Sequence, residues 1–258
     1  MSKLPIVFIL SLLSCSHGEA KASAERPIQQ LASTGALDTS IDFNALNSAI
    51  RDGRIAKPEA LRQMQTVLPQ LKRRFYEHGG QKAQVLPWVF PVQGYGTTAI
   101  GGTKGDGYVA RGYDYFDGNK HGGHPAHDIF ITDKNQDGID DKTKKPVNVL
   151  SMTGGIVIAT EESWDTVSTL RGGKYVWIYD PNSNSLLYYA HNSRVFVHSF
   201  DIVMPGDTIA TVGRTGLSAF KKRSPTHLHI MQLLLDDHFY PRPVNCYNDL
   251  VASSQKRQ

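Results

Sequence analysis

Residues 224–232 read Ser-Pro-Thr-His-Leu-His-Ile-Met-Gln and place two histidines one residue apart in an otherwise apolar run. Side chains at positions i and i+2 of a β-strand leave the same face, so His227 and His229 point the same way, roughly 6–7 Å apart. Leu228 and Ile230 then point the other way, into a core. Because an isolated pair of this kind is more often a solvated strand face than a site, its meaning depends on partners elsewhere.

The composition is that of a globular protein. With 258 residues, 40% of them hydrophobic and 20% charged, the chain can hold one sizeable core and a smaller appendage. Its net charge of +4 suits an anionic polymer or a membrane surface. No run of lysines and arginines is long enough to indicate nucleic-acid binding, so we expect no nucleic-acid partner.

The first residues have the pattern of an export signal. Residues 4–13 are almost wholly apolar and too short to span a bilayer. Residues 12–15, Leu-Leu-Ser-Cys, resemble a bacterial lipoprotein box, in which the cysteine becomes the lipidated first residue. Cleavage after Ala20 is the alternative and would remove Cys15.

We therefore expect residues 1–15 to be a lipoprotein-type signal segment and residues 16–39, which are small and polar, to be a flexible tether. The protein is then exported to the cell envelope and meets the membrane through a lipid anchor on Cys15. Serine after the cysteine resembles lipoproteins that are sorted to the outer membrane, which favours a periplasmic location.

Two helices are predicted over residues 40–86, and short strands after them. Apolar residues recur at helical spacing from Phe43, with Ser40 or Asp42 as the cap, and a longer helix follows Pro58 and is expected to kink at Pro69. Residues 87–250 form a β-rich domain, and residues 251–258 a tail. The predicted strands are bounded by turn residues and cover 128–132, 147–151, 155–160, 175–179, 185–191, 208–212 and 226–235.

The histidine pair has candidate partners in His-Gly-Gly-His-Pro-Ala-His-Asp, residues 121–128. His124 and Asp128 would lie roughly 13 Å apart in a straight strand, so a bend is required before both can hold one ion. The two glycines and Pro125 supply that bend. His121 and His127 compete in a ligand assignment, but only His124 has the four-residue spacing to Asp128.

Two histidines and an aspartate are the ligands of a catalytic zinc site whose fourth position is left to water. Zinc lowers the pKa of that water to about 7 and polarises a carbonyl, so amide hydrolysis is the natural chemistry. Proton transfer is still needed, and His227 and His191 are candidates for it. We expect Tyr189 and His191 to share a strand face.

Four ordered motifs give the chain a resemblance to the LytM/lysostaphin-type zinc peptidases of the M23 family over about residues 120–235. The family pattern of HxGxD, Y-A-H, G-x-T-G and HLH is matched by His124-Pro-Ala-His-Asp128, Tyr189-Ala-His191, Gly213-Arg-Thr-Gly216 and His227-Leu-His229.

The resemblance implies that His124, Asp128 and His229 bind zinc, and that His191 and His227 act on the water and the developing oxyanion. It also implies a mainly β fold with an antiparallel sheet groove, here preceded by a small helical segment. The implied substrate is a peptide bond of bacterial peptidoglycan.

Three features depart from the family pattern or add to it. Ala126 stands where the family prefers glycine. A longer basic segment precedes the histidine pair, and its Lys221, Lys222 and Arg223 either attract carboxylates of the stem peptide or form a solvated loop. The stretch Asp133–Asp141 has oxygen donors at the spacing of a calcium loop but Lys144 at its closing position, so calcium binding and a solvated acidic turn both stay open.

Two classes of function follow. The first is a zinc endopeptidase that cuts peptidoglycan. The alternative is a non-catalytic or latent wall-binding module that activates other hydrolases through a regulatory protein partner. All the candidate ligands are retained, and this favours the enzyme.

Overall fold

The structure is a computed structural model that describes residues 42–81 and 87–255. The predicted signal segment, the tether and Cys15 lie outside these residues, so export and lipidation stay predictions. Within the described ranges, none of the helices combines the length and the apolar character that a membrane crossing requires. The α-helices are Phe43–Arg51 (α1), Lys57–Glu77 (α2) and Tyr247–Gln255 (α3).

The strands form two antiparallel sheets, which confirms the mainly β prediction. The larger sheet has 7 strands in the order β1-β9-β5-β4-β3-β7, with β10 paired to β9, and the smaller has 3 in the order β2-β8-β6. The strands are His127–Phe130 (β1), Asn148–Leu150 (β2), Gly155–Glu161 (β3), Lys174–Asp180 (β4), Ser185–Asn192 (β5), Arg194–Val195 (β6), Ile202–Val203 (β7), Thr208–Thr211 (β8), His227–Leu235 (β9) and Pro241–Val244 (β10).

Both faces of the larger sheet are covered, because β4 and its neighbours are apolar on both sides. Val176 and Ile178 of β4 point into a cluster with the smaller sheet. Trp177 and Tyr179 point to the other face, into a cluster with α1 and α2. The molecule is therefore layered as helices, larger sheet and smaller sheet.

The helical segment packs onto the sheet as part of the same core. α1 begins where the Asp42 carboxylate accepts a hydrogen bond from the Ala45 amide at 2.8 Å, as predicted for a cap. Pro58 lies in the first turn of α2, and the stripe formed by Leu68 and Leu71 is fully buried against the sheet side. The helices α1 and α2 and the β-rich region thus share one hydrophobic cluster.

The end of the chain differs from the sequence-based division. Residues 251–255, assigned to a tail, are the second half of α3. Leu250 of this helix is fully buried in the cluster between the sheets, which holds α3 on the domain.

Candidate functional site

The strand pairing brings the predicted metal ligands together. β1 and β9 are antiparallel, and Asp128 lies directly opposite His229. His229 Nδ1 is 3.1 Å and His124 Nε2 is 3.3 Å from Asp128 Oδ1. One ligand atom from each of these three residues lies within 4.8 Å of the others.

The required bend before Asp128 is made by glycine. β1 begins only at His127, and His124 lies before it, in a bridge with Val109. Gly123 has φ +72, and a Cβ there would come within 2.6 Å of the Val109 carbonyl oxygen. Only glycine fits both constraints, so this turn aims His124 back toward Asp128.

The donor set fits a catalytic zinc ion. His124 Nδ1 lies 3.0 Å from the Gly107 carbonyl oxygen and so carries the proton, which leaves the lone pair of Nε2 for a metal. Two imidazoles and one carboxylate are a ligand set of open, catalytic zinc sites. Among the described residues, this is the group of histidine, cysteine and acidic side chains that can hold a metal ion.

His191 and His227 lie against this group with their outer nitrogens fixed by the backbone. His227 Nδ1 is 2.7 Å from the Pro225 carbonyl oxygen, and His191 Nδ1 is 2.7 Å from that of Thr215. Each Nδ1 must donate to its carbonyl, so each Nε2 is an acceptor. The ring centres of His191 and His227 are 4.8 Å apart, and those of His191 and His229 are 5.5 Å apart.

The prediction that Tyr189 and His191 share a strand face is wrong. Tyr189 is fully buried in the cluster between the sheets, whereas His191 lines the cavity on the helix side. The register with β4 shifts between these positions, since Val176 pairs with Tyr189 and Lys174 with Asn192. His191 sits in the resulting bulge with φ 66, and this left-handed backbone turns its side chain toward the site.

The electrostatics of the site favour an ionised Asp128 and shift the pKa values of the neighbouring imidazoles in opposite directions. Burial raises the pKa of Asp128, but hydrogen bonds from His124 and His229 outweigh it and hold the pKa far below its usual value. The hydrogen bond to Asp128 raises the pKa of His124. Burial lowers the pKa of His191 and of His229, so both rings favour the neutral form.

The competing histidines are placed elsewhere. His127 is on the opposite face of β1, is 1% exposed, and its Nε2 contacts Asn245 Oδ1 at 2.9 Å. His121 lies at the cavity edge, where its carbonyl oxygen accepts a hydrogen bond from Arg171 at 2.8 Å. Neither belongs to the group of His124, Asp128 and His229 that could hold a metal ion.

The acidic stretch Asp133–Asp141 gives no support for a calcium site. The carboxylate of Asp133 accepts hydrogen bonds from the amides of Asp137 and Gly138, and that of Asp140 from the amides of Lys142 and Thr143. The carboxylates therefore cap turns of their own loop, and no metal group forms there among the described residues. The expectation of calcium is not supported.

The candidate site opens into a cavity of about 510 Å³. Its lining includes Asp128 and the four histidines of the site, together with Tyr175, Trp177 and Tyr188 from the sheet. α1 supplies a further wall through Asn47, Ile50 and Arg51. The helical segment therefore borders the site.

Solved structures with a similar course of the chain come from bacterial peptidases. The catalytic domain of the antimicrobial peptidase lysostaphin from Staphylococcus simulans is 21% identical, with 47% of this chain and 76% of that chain covered and a TM-score of 0.33. A zinc-containing peptidase from Vibrio cholerae is 20% identical, with 63% and 40% covered and a TM-score of 0.39. The catalytic domain of a mutant of the prophage-encoded M23 protein EnpA from Enterococcus faecalis is 19% identical, with 48% and 76% covered and a TM-score of 0.33.

The sequence profile of peptidase family M23 matches residues 134–239. This range contains His191, His227 and His229 and begins after His124 and Asp128, which the antiparallel pairing of β1 with β9 brings to the same place. Residues 134–239 therefore carry a region similar to peptidase family M23, and the ordered motifs overlap it.

Proposed function

We propose that this protein is a zinc-dependent endopeptidase that hydrolyses peptide bonds of bacterial cell-wall peptidoglycan. The observation that carries the proposal is the convergence of His124, Asp128 and His229 on one point of a cavity that His191 and His227 also line. A zinc peptidase needs metal ligands, a proton carrier and room for a peptide, and the cavity lining offers candidates for each.

His124, Asp128 and His229 would hold the zinc ion. When bound, zinc supplies Lewis acidity toward the scissile carbonyl and toward a water molecule. The Gly107 carbonyl keeps the His124 ring in the tautomer and orientation that such a ligand needs.

The other two histidines would move the protons. The Nδ1 protons of His191 and His227 are held by the carbonyls of Thr215 and Pro225, so the Nε2 of either ring can accept a proton from the attacking water. The protonated Nε2 can then donate to the oxyanion or to the departing amine. Burial lowers the pKa of His191, which favours the neutral form that can accept a proton.

Digestion of purified sacculi tests the proposal. The zinc-loaded wild-type chain should release peptides that carry a new free amine, found by mass analysis, and the His229→Ala variant should release none. The exposed His238→Ala variant is the matched control and should behave as wild type. Binding of wild type to sacculi without any cleavage would refute the enzyme and support the wall-binding alternative.

We also propose that the protein is exported and anchored in the cell envelope through Cys15. The support is the apolar stretch and the lipoprotein-like box in the sequence. Feeding cells a labelled fatty acid should label the wild-type chain and not the Cys15→Ala variant, and label on both chains would refute the assignment.

A further inference from the structure

The cavity beside the candidate metal site has an excess of positive charge. Its charged lining residues, among those the structure describes, are Asp128 and the arginines 51, 171 and 223. Asp128 belongs to the ligand group, and Arg51 forms a salt bridge with Glu161 at 3.1 Å. Arg171 and Arg223 have no acidic partner within 4.0 Å among the described residues, so their charges are available to a ligand.

Arg171 lies directly before a residue whose backbone holds His191 by a hydrogen bond. The carbonyl oxygen of the next residue, Gly172, accepts a hydrogen bond from the His191 amide at 2.9 Å. Nη1 of Arg171 donates to the His121 carbonyl oxygen at 2.8 Å, which fixes the direction of the guanidinium. Its Nη2 makes no hydrogen bond with any residue in the described ranges, so this edge of the guanidinium can face a ligand.

Arg223 belongs to the segment that orients His227. Two residues later, the Pro225 carbonyl oxygen accepts a hydrogen bond from His227 Nδ1 at 2.7 Å. The segment is held in place by Arg214, whose Nη2 donates to the carbonyl oxygens of Lys221 and Ser224 at 2.9 and 3.0 Å. The backbone of Arg223 is therefore ordered before any ligand arrives.

The two lysines of the same segment serve as a comparison. Lys221 and Lys222 are exposed and do not line the cavity, whereas Arg223 does. Gln136 Nε2 donates to the Lys222 carbonyl oxygen at 2.9 Å. The backbone of Lys222 is therefore held in place like that of Arg223, but its side chain does not line the cavity.

We infer that Arg171 and Arg223 each offer a guanidinium to carboxylates of the substrate, so that the site prefers peptides with a free carboxylate over uncharged peptides. A guanidinium offers two parallel N–H groups that match a carboxylate, and each arginine is attached to the segment that positions one proton-carrying histidine. This inference rests on the proposed function and names the class of peptide that the same site takes.

Binding without turnover tests it. The chelator-treated full chain is titrated with a synthetic stem tetrapeptide whose carboxylates are free and with the same peptide fully amidated. Wild type should bind the acidic peptide more tightly, and the preference should shrink as salt is raised. Arg171→Gln and Arg223→Gln should each weaken binding of the acidic peptide roughly fivefold, because solvent screens these exposed arginines, and should leave binding of the amidated peptide unchanged. Lys222→Gln is the matched control and should bind both peptides as wild type does.

Equal affinity of wild type for the two peptides would overturn the inference. The inference would also be overturned if either arginine variant bound the acidic peptide as tightly as Lys222→Gln does. A variant whose affinity for both peptides fell by the same factor would overturn it as well. These outcomes are separate from failure of the proposed function, because sacculus digestion by wild type is measured independently of peptide preference.

Discussion

Asn47 of α1 connects the helical segment to the cavity wall, and its removal should destabilise the whole domain. The side chain is 4% exposed and accepts a hydrogen bond from the Tyr115 hydroxyl at 2.9 Å. Its Nδ2 donates to the Tyr175 hydroxyl at 3.1 Å, and Arg51 donates to the same hydroxyl at 3.0 Å. All four residues line the cavity.

The size of the effect follows from these contacts. Asn47→Ala removes two buried hydrogen bonds of about 1 kcal/mol each and leaves the Tyr115 hydroxyl without a partner, which costs about 1 kcal/mol more. Tyr175 keeps its bond from Arg51. The higher helix propensity of alanine returns about 0.5 kcal/mol. We expect the free energy of unfolding to fall by about 2.5 kcal/mol, or the melting temperature by about 5–10 °C.

Urea unfolding followed by tryptophan fluorescence measures this change, because the Trp177 ring lies 5.7 Å from that of Tyr115. Ser48→Ala in the same helix is the control and should stay within about 0.5 kcal/mol of wild type. Tyr115→Phe should cost less in the Asn47→Ala background than in wild type, since the hydroxyl has already lost its partner. An unchanged free energy for Asn47→Ala, or separate unfolding of the helices and the sheet, would refute the shared core.

Three further substitutions probe the metal group, the loop behind His191 and the core. His229→Ala should abolish zinc uptake, as measured by metal analysis, because it removes one of three ligands. Gly216→Ala should lower activity and cost about 1–3 kcal/mol in urea unfolding, since φ is +117 and a Cβ would lie 2.4 Å from the Arg171 carbonyl oxygen and 2.9 Å from His191 Nδ1. Leu71→Ala should cost about 2–5 kcal/mol, because Leu71 is fully buried in α2.

Each of these has a matched control. His238→Ala should keep zinc. Gly138→Ala should cost less than Gly216→Ala, because Gly138 has φ +82 but nothing within 4 Å of its added Cβ. Leu61→Ala, at a partly buried position of α2, should cost less than Leu71→Ala. If the His229→Ala variant kept its zinc, the ligand assignment would be wrong. If Gly138→Ala cost as much free energy of unfolding as Gly216→Ala, or Leu61→Ala as much as Leu71→Ala, the packing argument would be wrong.

Much of the fold could be predicted, because apolar residues alternate with polar ones in several strands and recur at helical spacing in the helices. The runs at Tyr175–Tyr179 and at His227 appear as strands within a residue or two of their predicted ends. β10 was missed because Pro241 and Pro243 lack amide donors and argue against a strand. The structure admits them because β10 lies at the sheet edge, paired only with the second half of β9.

The parts of the site that depend on tertiary contacts could not be predicted from the sequence. The motifs located all five candidate histidine and aspartate positions, but not the carbonyls of Gly107, Thr215 and Pro225 that orient three of the rings. Backbone carbonyls leave no mark in a sequence, and neither does the bulge that turns His191. The acidic loop stayed ambiguous in the sequence for a related reason, since the spacing that suits calcium also suits carboxylates that cap turns.

Because Asp128 lies directly opposite His229, the candidate metal ligands come together only when β1 and β9 pair in the correct register. If β9 joined β1 one residue out of step, Leu228 would enter the cavity and His229 would be driven into the apolar interior. A chain misassembled in this way would not form the proposed zinc site, so zinc uptake would report the fraction of molecules whose central strands have joined correctly.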